Sequence, residues 1–161
     1  PCMRSIRYET GAFVCVYRND AEAAPAITQD IIENPPEETP GWHGSEIETS
    51  EVMAFNEKLV RLDRTDKDFT HRPKWLDCCG DKFTKRNGSP YVTMNGNDLA
   101  WVPMDHQEYS DTGLIGNPFR ATAEKGRRII QRKAELLAEF CNELKKVKVE
   151  VRNRDYNRRA Y

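Results

Sequence analysis

Arg7-Tyr8-Glu9-Thr10-Gly11, running into Ala12-Phe13-Val14-Cys15-Val16-Tyr17, is the stretch on which the fold reading turns. The first part reads as the last turn of a helix. Gly11 stands just past it, where a left-handed backbone is common and glycine adopts it without a Cβ penalty. The second part is a continuous apolar run of strand length, rich in β-formers. A strand apolar on both faces belongs inside a sheet covered on two sides, as in parallel α/β architecture. Helix end, glycine and buried strand make half of an α/β unit, whose first half is expected to lie before residue 1. The predicted fold is therefore α/β, a mainly parallel sheet flanked by helices, incomplete without an upstream segment or a partner chain.

Outward from that stretch, Arg18-Asn19-Asp20 closes the strand, and Pro25 opens a short helix through Ile27, Ile31 and Ile32. Pro35, Pro36, Pro40 and Gly41 mark a loop leading to Trp42. A capping-box pattern, Ser45-x-x-Glu48, heads a helix to Phe55 with Ile47, Val52, Ala54 and Phe55 as its apolar positions. Leu59-Val60-Arg61-Leu62 alternates and is expected as an edge strand. Residues 63 to about 120 are punctuated by Asn87-Gly88, Asn95-Gly96 and Gly116-Asn117-Pro118, with short apolar pieces at Trp75-Leu76 and Leu99-Ala100-Trp101-Val102. So long a stretch with little periodicity is usually functional or an oligomer contact. Past it, Ile129, Ile130, Leu136, Leu137, Phe140, Cys141 and Leu144 form a helical stripe. With Thr122 as N-cap, the terminal helix is predicted over about 123–147. Residues 1–147 then form one domain and 148–161 a basic C-terminal tail carrying Arg152, Arg154, Arg158 and Arg159.

Composition narrows the function classes. The chain's 161 residues suit one compact domain. Its 26 acids and 25 bases nearly cancel, for a net charge of -1 and a pI near 6.4. That balance argues against nucleic acid as the main partner, because a basic face is the usual footprint of such binding. No apolar run approaches a membrane span and the start of the chain lacks a signal-peptide pattern, so a soluble cytoplasmic protein is expected. Five cysteines, among them the adjacent Cys78-Cys79, have no CxxC spacing and read as reduced thiols. Nothing near Cys78-Cys79 in sequence activates a nucleophile, so the pair is read as structural.

Chemistry concentrates in Trp42-His43-Gly44-Ser45-Glu46-Ile47-Glu48-Thr49-Ser50. On continuous helix, His43 and Glu48 would point about 140° apart. With His43 on the preceding loop, both converge on one pocket at the helix N-terminus, and Gly44 leaves the backbone room to turn. A carboxylate and an imidazole can hold a divalent cation, and an imidazole moves protons near neutral pH. The helix N-terminus favours negative charge developing on a substrate oxygen. The plainer alternative stays open: Glu48 closes the capping box with Ser45 and His43 is a loop histidine, two groups being fewer than the three or more ligands a metal site wants. His71 and His106 read as surface residues.

The stretch Gly41 to Ser50, followed by Val52-Met53-Ala54 and Leu59-Val60-Arg61-Leu62-Asp63, resembles the creatininase (creatinine amidohydrolase) family. That family shows a histidine-glycine pair, then Glu-Thr-Ser opening a helix, then a Leu-Val-Asp-like segment. A second block, Gly113-Leu114-Ile115-Gly116-Asn117-Pro118 with Ala121-Thr122-Ala123-Glu124-Lys125-Gly126-Arg127, follows in the family's order. The resemblance implies a mainly parallel α/β fold, a two-metal centre of zinc or manganese, and a homo-oligomer, often a hexamer; a second subunit completing the site would make it a hetero-oligomer. The reaction it implies is attack of a metal-activated water on a cyclic amide or related carbonyl, the substrate being a small molecule. Position by position, His43 resembles the family's substrate-side histidine, a candidate catalytic acid/base. Glu48 resembles the Glu-Thr-Ser glutamate at or beside the metal, and Trp42 the tryptophan that walls the substrate pocket. The family's upstream Glu-x-His, bridging aspartate and Asn-Gly-His-Gly motifs have no counterpart in this sequence. Most metal ligands are therefore expected from an upstream polypeptide or second subunit that completes the active site. The competing expectation is a non-catalytic subunit of a hetero-oligomer with a catalytic partner.

Overall fold

The computed structural model describes residues 2–20, 24–33, 35, 43–66, 68, 71, 73–85, 91–102, 105–108 and 110–148. In chain order its main elements are α1 (Cys2–Thr10), α2 (Glu46–Asn56), β1 (Phe83–Lys85), β2 (Tyr91–Met94), β3 (Asn97–Trp101) and α3 (Ala123–Leu144). The basic tail beyond Lys148 lies outside the described residues. No helix among those described is long and apolar enough to cross a membrane.

Helix α1 ends as its sequence requires. Gly11 takes φ +71° and its N–H returns to the Arg7 carbonyl at 3.0 Å. The apolar run after it does not become the expected buried strand. Residues 11–19 lie outside regular structure, with Phe13 45% and Val16 68% exposed. Tyr17 instead sets its ring against Phe140 of α3, centroids 5.0 Å apart, and Arg7 lies over the Phe13 ring. An apolar run can meet a helix face as readily as a sheet, and periodicity alone does not separate the two.

The strands that do form are antiparallel, in the order β1-β2-β3, so the mainly parallel sheet is not what the described residues build. The reason is the Asn95-Gly96 turn. Both residues have positive φ, +50° and +79°, and Met94 pairs with Asn97 across a two-residue loop. Such a loop reverses the chain, whereas a parallel pair needs a long crossover. Leu59–Leu62 also departs from its predicted edge strand: its two ends belong to 3₁₀ turns, Glu57–Leu59 and Leu62–Arg64. Local bonding wins there, because the Asn56 side chain accepts from the Lys58 N–H and Arg61 pairs with Asp63 at 3.1 Å.

Two helices carry the core. Ile129 of α3 is fully buried against Ile27 and Ile31, with Ile32 and Ile47 packed around them. The turn Pro25–Ile27 that places Ile27 begins on the proline predicted to open it. Thr122 caps α3, its Oγ1 accepting from the Lys125 N–H at 3.1 Å. Across the interface Gly126 presents bare backbone to Ser50, whose hydroxyl donates to the Glu46 carbonyl at 2.5 Å and accepts from the Thr122 N–H at 3.1 Å. Lys133 of α3 meets Glu51 of α2 at 2.5 Å.

Arg132 of α3 clamps Asp30 with both terminal nitrogens, and Arg128 stands 3.5 Å from the same carboxylate. The Arg132 hydrogen bonds hold the Asp30 carboxyl at about 2, below its ordinary 3.8. A depressed folded pKa contributes stability above the ordinary value and loses it as pH falls through the folded one. The thermal midpoint is therefore expected to drop between about pH 4 and about pH 2, with part of that drop missing in Arg132→Gln. Matching acid limbs in the two proteins would show that the clamp contributes nothing.

Candidate active site

The site is assembled from the loop before α2 and the loops between α2 and α3. His43 pairs with Ile115 in an isolated antiparallel bridge, the Ile115 N–H donating to the His43 carbonyl at 2.8 Å. Beside it Asp68 pairs with Gly116. Asp68 also organises the turn before Ile115: its Oδ2 accepts from Ser110 Oγ at 2.9 Å, the Thr112 N–H at 3.0 Å and Thr112 Oγ1 at 2.7 Å. Ser110, 1% exposed, also lies 2.8 Å from the Leu114 carbonyl, so its one hydroxyl proton is shared between the two acceptors. The two sequence blocks around His43 and around Ile115 are thus brought edge to edge.

Gly44 is the hinge of the arrangement. Its φ is +58°, and a Cβ there would sit 2.3 Å from Leu114 Cδ2. Glu48 fixes this hinge, its Oε2 accepting the Gly44 N–H at 2.7 Å. Thr49 adds a second tie, Oγ1 to the Gly44 carbonyl at 3.0 Å. The capping box therefore closes one residue earlier than predicted. Ser45 is the N-cap residue by conformation, yet the glutamate reaches past it to Gly44. The bend at Gly44 turns that N–H toward the first helical turn, where the carboxylate also meets the positive end of the α2 dipole.

His43 and Glu48 are both exposed, joined through Gly44. Trp42 lies outside the described residues. His106, read from sequence as a surface residue, packs its ring against His43 edge-on, centroids 4.7 Å apart. Its position is braced: Glu108 accepts from the Asp105 N–H and from Trp75 Nε1, each at 2.9 Å, and the Ser110 N–H donates to the His106 carbonyl at 2.8 Å. Nothing local marks His106, because its partner lies 63 positions away in sequence and only the loop packing joins them. His71, also exposed, lies 3.5 Å from Asp111.

Behind the site lies a charged cluster that the sequence reading did not find. Glu46, 2% exposed, accepts from Lys125 Nζ at 2.6 Å and from the Glu33 N–H at 3.0 and 3.1 Å. Lys125 also reaches Glu33 at 2.8 Å and the Arg120 carbonyl at 2.9 Å. Arg120 closes the circuit on Glu33. Burial works against the Lys125 charge, but hydrogen bonds to Glu33 and Glu46 outweigh it and leave the ammonium pKa raised. The Lys125 and Arg120 hydrogen bonds hold the Glu33 carboxyl below its ordinary range. Lys125 belongs to the same Ala121–Arg127 block that meets Ser50, so this block locks the start of α2 and with it the Gly44 hinge.

A model of the family described as creatinine amidohydrolase matches residues 2–141. The chain belongs to the creatininase family. No curated protein and no solved structure matches it significantly. Membership brings an amidohydrolase-type function and, for the family in general, metal dependence. The match covers α1, α2, the three strands and nearly all of α3, so the chain's motifs are read in one continuous frame.

The creatininase-family metal finds no complete seat among the described residues. Among the described residues no three His, Cys, Asp or Glu side chains are grouped to hold an ion. Glu48 uses one oxygen on the Gly44 N–H, and His43 and His106 meet edge to face. These residues do not fit the group by themselves. What they do offer is an exposed imidazole pair close to a helix N-terminus.

Proposed function

We propose that this creatininase-family chain serves the hydrolysis of a C–N bond in a cyclic amide or related small carbonyl compound, with His43 as the proton-transfer group. Water adds to the carbonyl carbon, the C–N bond opens, and the departing nitrogen takes up a proton. His43 accepts the water's proton and returns one to nitrogen, a general acid–base role that suits an exposed imidazole. Glu48 positions it by holding the Gly44 N–H, and the α2 N-terminus faces the oxygen that gains negative charge. Trp42, adjacent to His43 in sequence, is assigned to the wall of the substrate pocket. Ligands for the family's zinc or manganese come, in this reading, from a further stretch of polypeptide or a second subunit, with Glu48 at or beside that centre.

The observation that carries the proposal is the His43–Ile115 bridge, which joins the two family blocks around an accessible imidazole. The test is kinetic, on the protein in its native assembly and with cyclic amides as substrates. His43→Ala is expected to lower kcat/KM by about 10²–10⁴-fold. Glu48→Gln keeps a carbonyl oxygen for the Gly44 N–H but removes the charge, and is expected to lower activity with the fold intact by circular dichroism. Full activity in His43→Ala would remove the catalytic reading and favour a non-catalytic subunit beside a catalytic partner. Full activity in Glu48→Gln would remove its charge from the mechanism.

A further inference from the structure

Cys78 and Cys79 lie in the 3₁₀ segment Lys74–Lys82. Neighbouring side chains on such a helix point about 120° apart, so adjacent cysteines do not face each other by default. Here they do. Their sulfurs are 3.6 Å apart, Cys78 exposed and Cys79 half-buried. The Cys78 thiol is also within reach of the Trp75 carbonyl at 3.4 Å.

The separation says what the pair suits. A disulfide needs its sulfurs at about 2.05 Å, which across a single peptide requires the chain to strain. A thiophilic centre that binds sulfur at about 2.3 Å spans 3.6 Å with an S–centre–S angle of about 100°, close to its natural pyramidal or tetrahedral value. Chelation therefore needs little movement where oxidation needs much. We propose that Cys78 and Cys79 form a dithiol site for a thiophilic trivalent centre of the organoarsenical type, one with two exchangeable positions. In the binding step two S–H bonds and the As=O bond break and two As–S bonds form. The oxygen leaves as water with both thiol protons, and no atom changes oxidation state. The site sits on the same brace that carries His106, through Trp75 and Glu108, but it stands independently of the hydrolase reading.

The probe is phenylarsine oxide, added to the full, freshly reduced chain and followed by intact mass. One phenylarsenic unit per chain is expected, resisting excess glutathione and released by dimercaptopropanol. Holding both sulfurs on one segment should raise affinity by about 10²–10⁴-fold over a single thiol. Cys78→Ser and Cys79→Ser should each lose about that factor, while a chain with Cys2, Cys15 and Cys141 all changed to Ser keeps the adduct. The two single variants are scored separately, with circular dichroism, so that misfolding of one leaves the other to decide. No adduct on the unaltered chain overturns the proposal. A glutathione-resistant adduct on either folded single variant does the same.

Discussion

Gly126→Val is expected to destabilise the protein by about 3 kcal/mol or more. A Cβ at this position would lie 1.9 Å from the Ser50 carbonyl oxygen, 2.4 Å from its carbon and 2.9 Å from Ala54 Cβ. Two of those neighbours are backbone, which cannot rotate aside. Reaching an ordinary contact of 3.4 Å means parting α2 and α3 by about 1.5 Å. That movement breaks the Thr122 N–H bond to Ser50 and loosens Ile129 from its neighbours. Gly126→Ala is the sharper test, because two effects oppose. In an isolated helix alanine gains about 1 kcal/mol over glycine, whereas overpacking a tight contact costs about 1–3 kcal/mol. With the clash against backbone the second wins, and a net loss is expected. Urea unfolding of both variants measures it, and an alanine variant as stable as the parent would mean that the two helices do not touch at Gly126.

Lys125→Met should cost about 3 kcal/mol, since removing one partner of a buried ion pair leaves the other charge poorly solvated. Glu46 is the group exposed to that penalty, with a side chain only 3% accessible beside a Lys125 that is 18% accessible. Water at the Lys125 end and the half-open Glu33 keep the figure toward the lower part of the usual range for buried pairs. Glu33→Gln, at the exposed end, should change stability far less, because solvent screens that carboxylate. The pH dependence is a separate readout. Glu33 has a depressed folded pKa, so its contribution is present above its ordinary 4.5 and fades as acid titrates the folded group. Lys125 has a raised one, so its contribution is present below 10.5 and fades as pH rises through the folded value. The cluster therefore supports the fold on a plateau between those limits, and Lys125→Met should weaken the decline at both edges. An unfolding free energy within about 0.5 kcal/mol of the parent would show that Glu46 does not depend on Lys125.

Much of the helical framework was legible in sequence because its signals are local. Thr122 as cap, Pro25 as a turn opener, Gly11 as a helix terminator and the start of α2 at Glu46 each depend on residues within one turn. The β-hairpin was legible as well, through Asn95-Gly96 between two short β-prone runs, although reading those residues as mere punctuation concealed it. The apolar run at 12–17 went the other way. Its composition favours cover, but what supplies it depends on what lies across from it: Tyr17 met Phe140, while Phe13 and Val16 stay exposed.

The candidate site divides along the same line. The histidine, glycine and glutamate of the first block, and the membership in the creatininase family that they and the second block share, were set by residue type and spacing alone. Those are properties of the chain as written: which groups can carry a proton, which position tolerates a positive φ, which pattern starts a helix. Tertiary structure alone decided that Ile115 lies beside His43, that His106 shares its ring face, that Asp68 holds the 110–114 turn, and that Lys125 neutralises Glu46. Each of these joins residues more than 40 positions apart. Such contacts form only when the summed burial of helices and loops offsets the entropy of closing the long chain between them, which no short window of sequence encodes.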